Sequence, residues 1–146
     1  MEQYTHIIDQ PHLFVDLPRR KPQILVVEDD LTFRPLWESV FFQSCPDSVI
    51  DWATTEELAE RMIRRQYRKG KPYDLVVSDI FLAGDATGVD LWQRFGEAAK
   101  NFVFVSVLAK EKFDNLVAKS NGYGCPLFLQ KPLRARDCRA LVESLL

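Results

Sequence analysis

The sequence predicts a doubly wound α/β fold, with five strand–helix units wrapped into one five-stranded parallel sheet that has helices on both faces. Three observations carry that prediction. From residue 23 onward five short apolar runs punctuate the chain: Ile24-Leu25-Val26-Val27, Val49-Ile50-Asp51-Trp52, Leu75-Val76-Val77-Ser78, Phe102-Val103-Phe104-Val105 and Leu127-Phe128-Leu129. Four of the five are almost continuously apolar, the pattern of strands covered on both faces. The stretches between them are long enough for crossover helices, and right-handed crossovers wind such a chain into a three-layer sandwich.

The elements follow in order. Residues 1–22 differ from the rest: the apolar patches Ile7-Ile8 and Leu13-Phe14-Val15 are split by Pro11 and followed by Pro18-Arg19-Arg20-Lys21-Pro22. Prolines and three cations predict a solvated linker over 18–22, with one domain spanning 23–146. After the first strand, Thr32 is the expected cap of a helix whose first turn holds Pro35, where a missing N–H is harmless. Thr54 with Glu57 predicts a capping box opening a second helix that runs to about Lys69. A third helix is expected from about Val89 toward Lys100, and a fourth from about Glu111 to Ser120, stopped by Asn121-Gly122. The last runs from about Arg134 to Leu146, with Leu141, Val142 and Leu145 on one stripe.

Composition narrows the function. The 146 residues suffice for one domain at roughly 100–200 residues each. Being 47% hydrophobic and 12% aromatic, the chain has ample material for a core. Nineteen Lys and Arg against 21 Asp and Glu leave a net charge of −2, which lacks the cation excess of a nucleic-acid wrapper. No apolar run approaches the roughly 18 residues of a membrane span, and Met1-Glu2-Gln3-Tyr4 has no secretory layout. Cys45, Cys125 and Cys138 are far apart and unpaired by motif, so free thiols and a cytoplasmic location are expected. His6 and His12 have no ligand partners at metal-binding spacing.

In an open α/β sheet, ligands bind beyond the carboxyl ends of the strands, at the point where the strand order reverses. The first strand ends in Glu28-Asp29-Asp30 and the third in Asp79. Carboxylates that close raise one another's pKa unless a cation sits among them, and hard oxygen ligands suit Mg2+. Ser106 ends the fourth strand and Lys131 follows the fifth, so a hydroxyl and an ammonium face the same edge. Together they form a coherent set for phosphoryl chemistry, with one carboxylate as the attacking group.

Four segments, each at the end of its own strand, resemble a response-regulator receiver domain of the CheY-like, flavodoxin-like class: Ile24-Leu25-Val26-Val27-Glu28-Asp29-Asp30, Tyr73-Asp74-Leu75-Val76-Val77-Ser78-Asp79, Val105-Ser106 and Leu129-Gln130-Lys131-Pro132. The resemblance covers residues 22–146. It implies that Asp79 accepts a phosphoryl group from a sensor histidine kinase or histidine phosphotransfer protein. Glu28, Asp29, Asp79 and the backbone carbonyl of Phe81 would hold Mg2+. Ser106 and Lys131 would contact the phosphoryl oxygens, Lys131–Pro132 would be a cis bond, and Phe128 would be the switch aromatic. Movement of Ser106 and Phe128 would reshape a surface read by a downstream protein. The expected role is a single-domain response regulator, a phosphoprotein rather than an enzyme, catalysing at most its own transfer and dephosphorylation.

Departures from the family pattern are equally specific. The loop Leu82-Ala83-Gly84-Asp85-Ala86-Thr87-Gly88 has Ala83 where proline is common and places its glycine one residue late. Val107 stands where a small residue is usual, and could narrow access for a phosphodonor. Bulky Phe81 and Leu108 are expected to hinder the water that attacks an acyl phosphate, making dephosphorylation slow. These departures admit an alternative, a degenerate receiver acting as a phosphorylation-independent interaction module. A haloacid-dehalogenase-type phosphatase is excluded because Phe81 occupies the position of its general acid.

Each residue has a plainer reading. The acids after the first strand could serve a helix start, Ser106 a strand end, and Phe128 the core. Trp37, Trp52 and Trp92 read as packing residues, while Asp85 and Asp90 could approach the metal. Arg61, Arg64, Arg65 and Arg68 recur at i, i+3, i+4 and i+7, a solvated face or a dock for an acidic partner or phosphate backbone.

Overall fold

A computed structural model describes residues 20–80, 88–120, 124 and 126–146. Five strands alternate with five helices along these residues: β1 (Gln23–Val27), α1 (Arg34–Ser44), β2 (Val49–Ala53), α2 (Glu56–Arg68), β3 (Leu75–Asp79), α3 (Gly88–Phe95), β4 (Phe102–Ser106), α4 (Lys110–Ala118), β5 (Leu127–Gln130) and α5 (Ala135–Leu145). All neighbouring strands pair in parallel, in the order β2-β1-β3-β4-β5. The chain steps from β1 to β2 on one side, then crosses back to β3 on the other. A crevice therefore opens beyond the carboxyl ends of β1 and β3.

Period-two alternation along the strands builds two cores. Leu25 and Val27 join Ala59 and Ile63 of α2, Leu91 and Trp92 of α3 and Phe113 of α4 on one face. Ile24 and Val26 join Trp37, Val40 and Phe41 of α1 with Cys138 and Val142 of α5 on the other. β1, β3 and β4 lie inside the sheet with almost every residue buried, which is why their sequences are apolar with so little alternation. The α5 stripe packs as expected, Val142 buried and Leu141 and Leu145 against the same core.

Helix termini differ from expectation in instructive ways. Asp30, not Thr32, makes the cap after β1: its carboxylate accepts from the Thr32 backbone N–H at 3.0 Å and hydroxyl at 2.6 Å. A 3-10 turn over Leu31–Phe33 intervenes, so α1 begins at Arg34 with Pro35 in its first turn. Thr55, not Thr54, caps α2, accepting from Leu58 N–H at 3.2 Å. Ala53 is still paired in β2, and Thr55 is the residue whose extended backbone (φ −133°, ψ 160°) lets its side chain reach back. No capping box with Glu57 forms. α3 closes at Phe95 in a 3-10 turn over Gly96–Ala98, short of Lys100, and α4 ends at Ala118 rather than Ser120.

The segment expected as a linker is partly docked. The Pro22 carbonyl accepts from Val49 N–H at 2.8 Å, and Arg20 donates to the Pro72 carbonyl at 2.7 Å while pairing with Asp74 at 3.8 Å. Expectations falling on residues 1–19, on Phe81 and the loop 82–87, on Asn121-Gly122 and on Cys125 lie outside the described residues. No helix among the described residues is long and apolar enough to cross a membrane.

Candidate functional site

Strand ends deliver the site. Glu28 continues β1, its backbone N–H donating to the Ala53 carbonyl of β2 at 2.9 Å, which aims the side chain beyond the sheet edge. Asp79 is the last residue of β3, in register with Val105. Ser106 ends β4, and its carbonyl accepts from Lys131 N–H at 2.7 Å, so the sheet itself sets where Lys131 begins. The Lys131–Pro132 bond is cis, as expected.

Four of the expected groups converge. Oxygen atoms of Glu28, Asp29 and Asp79 all lie within 4.8 Å of one another. The Lys131 ammonium donates to Glu28 Oε1 at 2.8 Å and to Asp79 Oδ2 at 2.7 Å. Side chains of these three are buried, with only 5% of Glu28, 10% of Asp79 and 9% of Lys131 exposed. Asp29 is exposed. Asp30 and Asp90 stand outside the cluster, Asp30 because its carboxylate is engaged in capping. Ser106 is fully buried and its hydroxyl accepts from Leu108 N–H at 3.2 Å.

Charge in this confined space is frustrated. Burial, reinforced by the charge of Asp79 and opposed by the Lys131 hydrogen bond, pushes the Glu28 carboxyl up to about 7. Burial opposes the charge on Lys131 too, but its bonds to Asp79 and Glu28 prevail and hold the ammonium above its ordinary value. Hydrogen bonds from Thr32 pull Asp30 below the usual carboxylate range. Three carboxylates against one ammonium leave an excess of negative charge, presented through hard oxygen donors alone. That donor set fits a small divalent cation such as Mg2+, which Glu28, Asp29 and Asp79 would hold between them.

Two neighbours escaped sequence reasoning. The Phe33 ring lies beneath Lys131, Nζ 4.0 Å from its centroid, and presents its π face to the ammonium. Gly88, which opens α3, donates its N–H to the Ile80 carbonyl at 2.8 Å. A Cβ there would strike the Asp79 carbonyl oxygen and lie 2.8 Å from Ser78 Oγ. No motif announces either residue; only the late glycine of the loop hinted at the second.

The remaining expected residues are placed as follows. Phe128 stacks on Phe113 of α4, centroids 4.5 Å apart and planes at 15°, half-buried against the core. Val107 is 68% exposed beside the site, whereas Leu108 packs partly into the core. Trp37 and Trp92 are buried; Trp52 is half-buried with the Arg34 guanidinium 4.6 Å above its ring. Cys45 and Cys138 are free thiols.

No protein-family model matches this chain, and no curated protein sequence matches it. Solved structures do. A two-component response regulator from Clostridium difficile superposes with a TM-score of 0.68 at 21% identity, over 86% of this chain and 95% of that one. The signal receiver domain of a Luxo repressor protein from Vibrio parahaemolyticus gives 0.65 at 24% identity, over 86% and 92%. The receiver domain of a sensor histidine kinase from Pseudomonas aeruginosa, with a magnesium ion coordinated in its active-site cleft, gives 0.66 at 15% identity, over 86% and 98%. At these identities the likeness is one of fold. The chain has the CheY-like fold of response-regulator receivers.

Proposed function

We propose that this chain is a phosphorelay receiver, taking a phosphoryl group onto Asp79 from a phosphohistidine of a kinase or phosphotransfer partner. One observation carries the reading: Asp79 closes β3 inside a buried cluster with Glu28 and Lys131, beside an exposed Asp29, at the reversal point of a CheY-like sheet. That juxtaposition explains carboxylates which stability alone would not bury.

In the proposed step an Asp79 oxygen attacks phosphorus while the bond from phosphorus to the histidine nitrogen breaks. The nitrogen leaves with the bonding pair, and Asp79 becomes an acyl phosphate. Bound Mg2+, held by Glu28, Asp29 and Asp79, with the Phe81 carbonyl as the expected fourth ligand, would neutralise charge on the transferring oxygens. Lys131, already on Asp79 Oδ2, is placed to follow that charge outward onto the phosphoryl group. The Ser106 hydroxyl, which accepts from Leu108 N–H, would donate its own O–H to a phosphoryl oxygen, and its backbone link to Lys131 couples the two. Phe128 packs on the α4 side of the sheet, so a change there would reach α4 and β5, the surface offered to a downstream protein.

Incubation with acetyl phosphate and Mg2+, read by intact-protein mass, tests the proposal. A gain of one phosphoryl mass, abolished in Asp79→Asn, supports it. No gain in a folded protein that also fails to bind Mg2+ favours the phosphorylation-independent module, for which the exposed Val107 beside the site is the motive.

A further inference from the structure

We propose that the outer face of α2, with the clefts on either side of it, docks an acidic amphipathic segment of a partner protein. The stretch 61–71 holds six of the chain's nineteen cations and none of its acids. Arg61, Arg64, Arg65 and Arg68 are all exposed and recur at i, i+3, i+4 and i+7, so they form one ridge about 10 Å long. Arg64 pairs with Glu60 at 3.0 Å; Arg61, Arg65 and Arg68 make no ion pair with any described residue. Attraction to the helix C-terminus accounts for Arg65 and Arg68 in the last turn, but not for Arg61.

The ridge runs between two clefts with apolar lining. One, of about 440 Å³, lies between α2 and α3 and is lined by Ile63, Tyr67, Phe95 and Ala98, with Arg64 and Arg94 at its rim. Both guanidiniums are fixed over the Phe95 ring, 5.1 and 5.3 Å from its centroid, and Arg94 is further held by Glu60 at 3.3 Å. The other, of about 320 Å³, is lined by Leu58 and Met62 between Arg61 and Arg65. Tyr67 is 61% exposed, an aromatic left in water beside four arginines.

Charge and shape together select the occupant. Carboxylates on one face of a helix or strand would meet the arginines, and apolar side chains beside them would enter the clefts. A nucleic-acid backbone would use the arginines and leave the apolar clefts unfilled. The surface lies at the β2 end of the helix layer that α2 shares with α3 and α4, on the far side of α3 from the α4 and β5 surface invoked above.

Fluorescence anisotropy on the full chain tests the inference with three labelled probes of equal charge: a helical peptide with glutamates at i, i+4 and i+7 and leucines alongside, oligoglutamate, and oligothymidylate. The amphipathic peptide should bind about tenfold more tightly than either other probe. Arg61→Glu with Arg65→Glu should weaken it at least about tenfold. Tyr67→Ala should weaken that peptide alone, with circular dichroism confirming the fold of each variant. Equal binding of the three probes, or binding indifferent to the arginine reversals, overturns the proposal. So does a tenfold gain on changing Glu2, Asp9 and Asp16 to Asn, which would assign the surface to the chain's own N-terminal residues.

Discussion

Lys131→Met is the most informative single perturbation of the site. The ammonium sits 2.8 Å from Glu28 Oε1 and 2.7 Å from Asp79 Oδ2. With an effective dielectric near 20, each contact is worth roughly 6 kcal/mol in gross Coulomb attraction. Most of that is cancelled by the desolvation of three buried charges, and removing one partner of such a cluster costs about 3–5 kcal/mol net. Methionine fills the aliphatic space over Phe33, so the cost is electrostatic rather than a cavity. In a chain of 146 residues, at about 3 °C per kcal/mol, the metal-free variant should melt about 10–15 °C below wild type at pH 8. At pH 5.5 the cost should shrink, because Glu28, already drawn up to about 7, takes a proton and removes one of the two stranded charges. Glu28→Gln in the Lys131→Met background should restore part of the loss at pH 8. Differential scanning calorimetry in chelator provides the measurement. A variant within about 0.5 kcal/mol of wild type at both pH values would refute the buried three-charge cluster.

Three further outcomes follow from the same contacts and their neighbours. Because Glu28 is raised to about 7 from 4.5, the folded metal-free protein binds more protons than the unfolded chain between those values. This carboxyl's contribution is therefore full below pH 4.5 and lost as pH rises toward and past 7, and Glu28→Gln should flatten the stability profile in that window, read by urea melts. Gly88→Ala should destabilise by about 1–3 kcal/mol and impair phosphoryl uptake, since its Cβ must displace the Asp79 carbonyl or the Ser78 hydroxyl; wild-type melting and uptake would contradict that contact. Cys138, fully buried with its thiol pushed up to about 11 by burial and the charge of Asp137, should resist alkylation at pH 8 until denaturant is added, as peptide-level mass mapping can show.

The strands were legible because burial on two faces removes the alternation that ordinarily disguises a sheet. Val103 and Phe104 serve opposite cores, and each core demands an apolar residue. Helix starts were legible only to a residue or two, since Thr54 and Thr55 offer the same hydroxyl and only the end of β2 chooses between them. The carboxylates, Ser106 and Lys131 could be read because each occupies a strand end, where topology fixes position without knowledge of packing. Phe33 and Gly88 could not, because their significance lies in contacts with Lys131 and Asp79 that no local pattern encodes. Thr32 reads as the cap after β1 for a related reason: three consecutive acids look equivalent, and only the contacts show that the Asp30 carboxylate is the one used up by the Thr32 N–H and hydroxyl.

The division of labour among those three acids bears on how the site could switch. Glu28 and Asp79 share a single ammonium, while Asp29 faces solvent and Asp30 is committed to a turn. A cation held by Glu28, Asp29 and Asp79 would draw on two carboxylates that Lys131 already engages, and would weaken the lysine's hold without breaking the sheet that positions it. A phosphoryl group on Asp79 would then offer that lysine new acceptors farther from Glu28. On the proposed reading the lysine therefore trades partners rather than gaining them, and the free energy available for switching is the difference between two sets of contacts. The Ser106 carbonyl, bonded to Lys131 N–H at 2.7 Å, and the Ser106 hydroxyl, bonded to Leu108 N–H, tie that exchange to the start of α4, where Phe113 stacks on Phe128.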